Sequence, residues 1–321
     1  MDRNLALEFV RVTEAAAMAA GKWVGKGDKH SADKAATEAM RKRFNVIDMD
    51  GTIVIGEGER DEAPMLFIGE KVGSKKGPVL DIAVDPLEGT NPTAYGGNNS
   101  IAVMAAGPKG SLLHAPDTYM DKIAVGPEAA GAVDLDKSVK ENLQAVAKKL
   151  HKDIEDVTVI ILDRGRHKDL IAEVRKVGCR IKLIGDGDIA GAIATCDPES
   201  GIDILLGIGA APEGVMTACA MKCFGGHFQG RLKLRNDEEK ERAKKMGIKN
   251  PDKKLEIDDL ANSDRVMFAA TGVTDGPFLK GVRFTDCGVN THSVVMRSKT
   301  KTIRYIETIH NEHIEESCKR G

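Results

Sequence analysis

Val157-Thr158-Val159-Ile160-Ile161-Leu162, Arg180-Ile181-Lys182-Leu183-Ile184 and Ile202-Asp203-Ile204-Leu205-Leu206 are short apolar runs, and patterns of helical period separate them at 167–177 and 189–195. A further helical pattern follows at 213–224. This alternation predicts parallel strands joined by crossover helices, with ligands held in the loops at the strands' carboxyl ends. Two such loops are charged: Asp163-Arg164-Gly165-Arg166-His167 and Asp186-Gly187-Asp188. Arginine forks suit phosphate oxygens, and carboxylates suit sugar hydroxyls. Each is also the composition of an ordinary polar βα loop.

Upstream, Leu5, Phe9, Val12, Ala16, Ala19 and Trp23 recur at helical spacing, ended by Gly25 and Gly27. A second helical pattern opens at Ser31 as N-cap, with Asp33 in its first turn. Strand-like runs follow at 52–55, 79–84, 100–106 and 123–125, without clear helices between them. Beyond 224, the charged stretch 236–260 reads as a solvated helix, and strands are expected at 266–270, 293–296 and 302–306.

Composition narrows the function. In 321 residues, 47 Lys plus Arg face 49 Asp plus Glu, so the net charge of −2 excludes binding driven by phosphate neutralisation of nucleic acid. No apolar run reaches the roughly eighteen residues of a membrane span. The opening Met1-Asp2-Arg3-Asn4 does not resemble a signal peptide, so a cytoplasmic protein is expected. Six cysteines without a C-x-x-C pair indicate no disulfide framework.

Chemistry concentrates in three places. Residues 48–62 hold six carboxylates and one cation, a local charge of −5, and Gly56-Glu57-Gly58 directly follows an apolar strand. Asp85-Pro86-Leu87-Glu88-Gly89-Thr90 ends another strand, where Pro86 interrupts the ladder and Gly89 permits a tight turn. Oxygen ligands so arranged suit Mg²⁺ or Mn²⁺ shared with a phosphate. Gly207-Ile208-Gly209-Ala210-Ala211-Pro212-Glu213-Gly214 leads into a helix whose N-terminus could face an anion. No P-loop, nucleophile elbow or H-E-x-x-H occurs. His310, His313 and Cys318 read as part of a tail rather than a metal cluster.

Asp85-Pro86-Leu87-Glu88-Gly89-Thr90 is similar to the D-P-x-[DE]-G-[ST] signature of the lithium-sensitive, metal-dependent phosphatases. Gly27-Asp28-Lys29 with Asp33, Gly51-Thr52-Ile53-Val54-Ile55-Gly56-Glu57-Gly58-Glu59, Asp61-Glu62-Ala63-Pro64-Met65, Ala115-Pro116-Asp117 with Tyr119-Met120, and Ala211-Pro212-Glu213-Gly214 resemble class II fructose-1,6-bisphosphatase, the GlpX family. This resemblance implies an α/β (α+β) fold, the layered α-β-α-β-α sandwich of the sugar and inositol phosphatases. Its two α/β halves are expected at 1–137, carrying the metal ligands, and at 138–321, carrying the substrate loops.

The resemblance also implies hydrolysis of the 1-phosphate of fructose 1,6-bisphosphate in gluconeogenesis, with two or more Mn²⁺ or Mg²⁺ ions. Asp33 and Glu57 would ligate one ion, and Asp85, Glu88 and Glu213 a second. Glu88, Gly89 and Thr90 would hold the reacting phosphate with Lys29 nearby. Tyr119, Arg164, Gly165 and Arg166 would grip the distal phosphate; Asp186, Gly187, Asp188 and Ala210 would line the sugar. Asp61 paired with Thr90 would orient and deprotonate the attacking water, with Glu213 completing the catalytic set. Relatives of this kind lead to an expected dimer or tetramer, with no nucleic acid or membrane partner. Alternatives are sedoheptulose-1,7-bisphosphatase activity, alone or in addition, and a non-catalytic sugar-phosphate sensor.

Overall fold

The computed structural model describes residues 5–58, 65–286 and 288–311. Helices α1 (Leu5–Gly21) and α2 (Lys29–Phe44) precede β1 (Asp50–Ile55), β2 (Lys71–Val72), β3 (Val79–Glu88), α3 (Thr90–Tyr95) and β4 (Ile101–Pro108). The middle of the chain forms β5 (Tyr119–Val125), α4 (Val139–Leu150), β6 (Thr158–Leu162), α5 (Lys168–Val177), β7 (Arg180–Ile184) and α6 (Asp188–Ala194). It continues with β8 (Ile204–Ala210), α7 (Ala211–Phe224), β9 (His227–Lys233), α8 (Asp237–Lys245), β10 (Leu255–Glu256) and α9 (Ile257–Leu260). Four strands close the described chain: β11 (Met267–Gly272), β12 (Arg283–Thr285), β13 (Gly288–Arg297) and β14 (Thr302–His310).

The strands form two mixed sheets. The first runs β12-β13-β11-β4-β3-β1-β2, with β14 also on β13, and the second runs β10-β9-β5-β8-β6-β7. Strands β7, β6 and β8 are parallel, as the alternation of strand and helix predicts. Strand β5 then enters antiparallel between β8 and β9. Sheet membership therefore does not follow a cut at residue 137. The second sheet is contiguous from β5 to β10 and is inserted between two groups of strands that together make the first.

Period-two alternation builds the layers. On the first sheet Ile82, Val84, Met104 and Ala106 pack under α1 and α2, while Ala83, Val103 and Ala105 face the opposite side. That opposite side meets α6 and α7, which also receive Met120, Ala124 and Ile160 from the second sheet. Ile123, Val125, Val159 and Ile161 point outward under α4 and α5. Three apolar clusters thus fill the four boundaries between five layers, in the order α-β-α-β-α.

Local chemistry shifts several boundaries. Asp28, not Ser31, caps α2 by accepting from the Ser31 N–H at 3.0 Å, so Asp33 stands one turn into the helix. Stretch 236–260 is not one helix but α8, a turn, β10 and α9. Strand β9 carries Gln229, Gly230 and Arg231, which hide its strand character in the sequence. His310 belongs to β14 rather than to a tail, while His313 and Cys318 lie outside the described residues. Among the described residues no helix is long and apolar enough to cross a membrane.

Candidate active site

Two acids three residues apart in a regular strand face opposite sides of the sheet. Asp85 and Glu88 escape this rule because β3 is bulged between them: Asp85 pairs with Val103 and Glu88 with Ile101, residues two apart on β4. The bulge, at Pro86, restores parity and sends both carboxyls into the layer between the sheets. Gly89 follows with φ +92°, and a Cβ there would come within 2.8 Å of Ser100 Oγ. Ser100 and Thr93 hydroxyls both donate to the Gly89 carbonyl, fixing the turn that places Thr90 at the start of α3.

Around this turn the structure gathers acids from five elements. Asp33, Glu57, Asp85, Thr90, Asp186 and Glu213 line a cavity of about 310 Å³. Burial, reinforced by Asp33 and Asp85, pushes the Glu57 carboxyl up to about 8. Burial likewise pushes Asp85 up to about 7, and it raises Asp33, which shares a hydrogen bond with Glu57.

Deeper in the same layer, one carboxylate oxygen each of Glu88, Asp188 and Glu213 lie within 4.8 Å of one another. Burial, then Asp188, holds both Glu88 and Glu213 well above the usual carboxylate range. Lys122, 2 % exposed, reaches Asp188 Oδ2 at 2.6 Å and Glu213 Oε2 at 3.6 Å. No motif marks Lys122 in the sequence, although it shares strand parity with Met120 and Ala124, which face the central layer. Asp188, expected beside the sugar, heads α6 and joins the acids instead.

These residues fit an oxygen-liganded divalent cation. Glu88 Oε1 accepts from the Ile189 N–H at 2.8 Å, but Glu88 Oε2 and Asp188 Oδ1 are buried with no hydrogen-bond partner. Unspent carboxylate oxygens in a dry site are costly unless a cation or proton meets them.

The expected distal-phosphate residues separate. Arg164 Nη2 donates to Asp186 Oδ1 at 2.8 Å and lines a different cleft of about 750 Å³ with Tyr95 and Lys182. Burial raises the Asp186 carboxyl, and Arg164 opposes that rise. Arg166 instead donates through Nε and Nη2 to the Ile208 carbonyl, at 3.1 and 2.7 Å, with its guanidinium 4.8 Å from the Tyr119 ring centroid. The turn Gly165–His167 sends the two arginines apart. It is riveted by His167, whose Nδ1 lies 2.7 Å from the Leu162 carbonyl and whose Nε2 accepts the Ile208 N–H at 2.8 Å. His167 is therefore a neutral imidazole with its proton on Nδ1.

Gly187, at φ +88°, lies against Asn99, which donates to the Asp186 and Gly187 carbonyls at 2.9 and 3.2 Å. Ala210 lines the acid cavity, and its N–H donates to Glu213 Oε2 at 3.3 Å. Lys29 opens α2, exposed, one turn before Asp33. Asp61 lies outside the described residues.

The family described as bacterial fructose-1,6-bisphosphatase, glpX-encoded, matches residues 3–310. A D-fructose 1,6-bisphosphatase class 2/sedoheptulose 1,7-bisphosphatase from Synechococcus sp. (strain JA-3-3Ab) is 48 % identical, covering 97 % of this chain and 96 % of its own. One of the same name from Synechocystis sp. is 49 % identical over 97 % of each chain. Among solved structures, an extragenic suppressor from Pyrococcus furiosus aligns at a TM-score of 0.29 and 17 % identity, over 60 % of this chain and 69 % of that one. With the family match running from residue 3 to residue 310, the chain belongs to the glpX-encoded bacterial fructose-1,6-bisphosphatases.

Proposed function

We propose that the protein is a divalent-cation-dependent phosphatase that removes the 1-phosphate of fructose 1,6-bisphosphate, giving fructose 6-phosphate and phosphate in gluconeogenesis. The observation that carries this reading is the convergence of Glu88, Asp188 and Glu213, with unspent oxygens, beside the glycine turn that presents Thr90. Mn²⁺ or Mg²⁺, two or more per site, would polarise the phosphoryl oxygens and acidify a water when bound.

The chain's own residues do the rest. Asp33, Glu57 and Asp85 form one ligand group, and Glu88, Asp188 and Glu213 the other. Protons held by the raised carboxyls leave as ligands engage, so affinity for the cation rises with pH. Thr90 and Asp61 are assigned as the pair that activates the attacking water, the Thr90 hydroxyl orienting it and the Asp61 carboxylate accepting its proton. Lys29, exposed one turn before Asp33, serves the reacting phosphate, and Tyr119 with Arg166 the distal one.

Dual action on sedoheptulose 1,7-bisphosphate is a second reading, favoured by the names of both cyanobacterial relatives. We place the protein in the cytoplasm as a dimer or tetramer, supported by exposed Phe284, Tyr305 and Ile309 around the edge strand β14.

Phosphate release from both bisphosphates, before and after EDTA treatment and Mn²⁺ repletion, tests the proposal. Turnover that disappears with EDTA and returns with Mn²⁺ is expected. Asp85→Asn should lower kcat by at least about 100-fold, more than loss of an outer-shell partner typically costs. Binding without turnover would make the protein a sensor.

A further inference from the structure

Arg166 is not alone over Tyr119. The guanidinium of Arg235 also lies 4.8 Å from that ring's centroid. Tyr119 pairs with Ala210 on β8 and with Lys233 on β9, so Arg166 arrives from the β8 side and Arg235 from the β9 side.

Arg235 is held there by a built anchor. Its Nε donates to Glu239 Oε1 at 2.5 Å, and its backbone N–H donates to Glu239 Oε2 at 2.8 Å. Glu239 is 5 % exposed and also accepts from the Thr118 hydroxyl at 2.6 Å, next in sequence to Tyr119. Asn236 caps the helix that carries Glu239, accepting its N–H at 2.9 Å. A buried carboxylate held by three donors fixes the long side chain, so little rotamer freedom remains to be lost when an anion arrives.

Charge then points to the occupant. Glu239 pairs with Arg235, Asp117 adds a weaker attraction to the same guanidinium, and Arg166 bonds the Ile208 carbonyl, while the Arg235 side chain keeps 52 % of its surface exposed. Two guanidiniums packed on the same ring repel each other, and a dianion that contacts both would relieve that repulsion. A phosphate monoester supplies that dianion and accepts from planar forks.

We propose that Arg235, positioned by Glu239, is a substrate-binding residue that pairs with Arg166 on the distal phosphate and sets the preference for a bisphosphate over a monophosphate. The assignment rests on the proposed phosphatase activity and deepens it.

Fructose 1,6-bisphosphate and fructose 1-phosphate carry the same reacting phosphate and differ at the distal position, so their comparison isolates Arg235. Arg235→Ala should raise KM for the bisphosphate about tenfold or more with kcat reduced less than about threefold, the pattern of lost uniform binding. Its kcat/KM on fructose 1-phosphate should fall less than about threefold, so discrimination between the two narrows. Product inhibition by fructose 6-phosphate should weaken in parallel. Arg235→Lys should be intermediate, because a point charge replaces the fork. Glu239→Gln should reproduce part of the KM effect, with melting curves confirming that each variant is folded. Equal losses on both substrates, or an unchanged KM for the bisphosphate, would overturn the assignment while leaving the phosphatase reading intact. A wild-type protein inert toward the bisphosphate would remove both.

Discussion

Asp33, Glu57 and Asp85 on one side, and Glu88, Asp188 and Glu213 on the other, are neighbouring acid groups with opposite internal compensation. The first faces His30 and other acids, and its carboxyls are driven upward by burial and by one another. The second encloses Lys122, whose ammonium sits 2.6 Å from Asp188. The difference teaches that a charge-dense site can be made foldable in two ways. Protons alone stabilise the first group before a cation arrives, whereas the second, whose Glu88 and Glu213 are also raised by burial, has a fixed lysine to hold it in shape as well.

The largest expected effect comes from erasing that distinction. Lys122→Met leaves buried acids without their cation and should cost about 3–5 kcal/mol of metal-free stability, measured by denaturant unfolding. Saturating Mn²⁺ should recover more of the loss than it adds to the wild type. A variant as stable as the parent would break the comparison.

Gly209→Ala acts on the same group by geometry. Its Cβ would stand 1.8 Å from Asp188 Oδ2 and 2.9 Å from Lys122 Nζ, forcing the pair apart. Overpacking of this kind costs about 1–3 kcal/mol, and kcat should fall with it. Normal kinetics would mean that the Lys122–Asp188 contact is dispensable.

Glu57→Gln should have the opposite sign on stability. Removing an ionisable acid from the first group should raise metal-free stability at pH 8 by about 1 kcal/mol while abolishing metal-dependent turnover, a trade typical of functional sites.

The smallest effect is read across pH. Glu57, near 8, and Asp85, near 7, keep protons that the unfolded chain releases at about pH 4. The folded state binds more protons in that window, so metal-free stability should fall as pH rises from about 4 to 8, with the raised Glu88 and Glu213 adding to the fall. Mn²⁺ should reverse the slope. A flat metal-free melting profile would refute the raised carboxyls.

Local chemistry was legible in the sequence and long-range placement was not. Asp85, Glu88 and Thr90 lie within one short stretch, so strand and turn could be read from Pro86 and Gly89, although the bulge that carries β3 on to Glu88 could not. The nearness of Asp188 to Glu88 and Glu213 was not legible, because its spacing from Asp186 says nothing of the approach of α6 to Glu88. Arg164 and Arg166 look like a fork, yet the short turn between them sends one to Asp186 and the other to Ile208. Lys122 carried a usable signal, a lysine on the inward parity of a buried strand. Arg235 carried none, since its partner Glu239 is one acid in a run that otherwise faces water. The return of β11 to β14 to the first sheet was equally hidden, because strand runs do not name their neighbours.

That return dictates an order of events during synthesis. Every strand of the second sheet is contained in residues 119–256, so this sheet can close while the ribosome is still at work. The first sheet cannot. Strand Ile101–Pro108, nearly all buried in the finished protein, remains an open edge until Met267–Gly272 emerges to pair with it. Asp85 and Glu88 wait on the neighbouring strand throughout. The catalytic layer is thus the last part of the molecule to be enclosed, and a chain interrupted before residue 267 would carry its acids on an unfinished, aggregation-prone sheet.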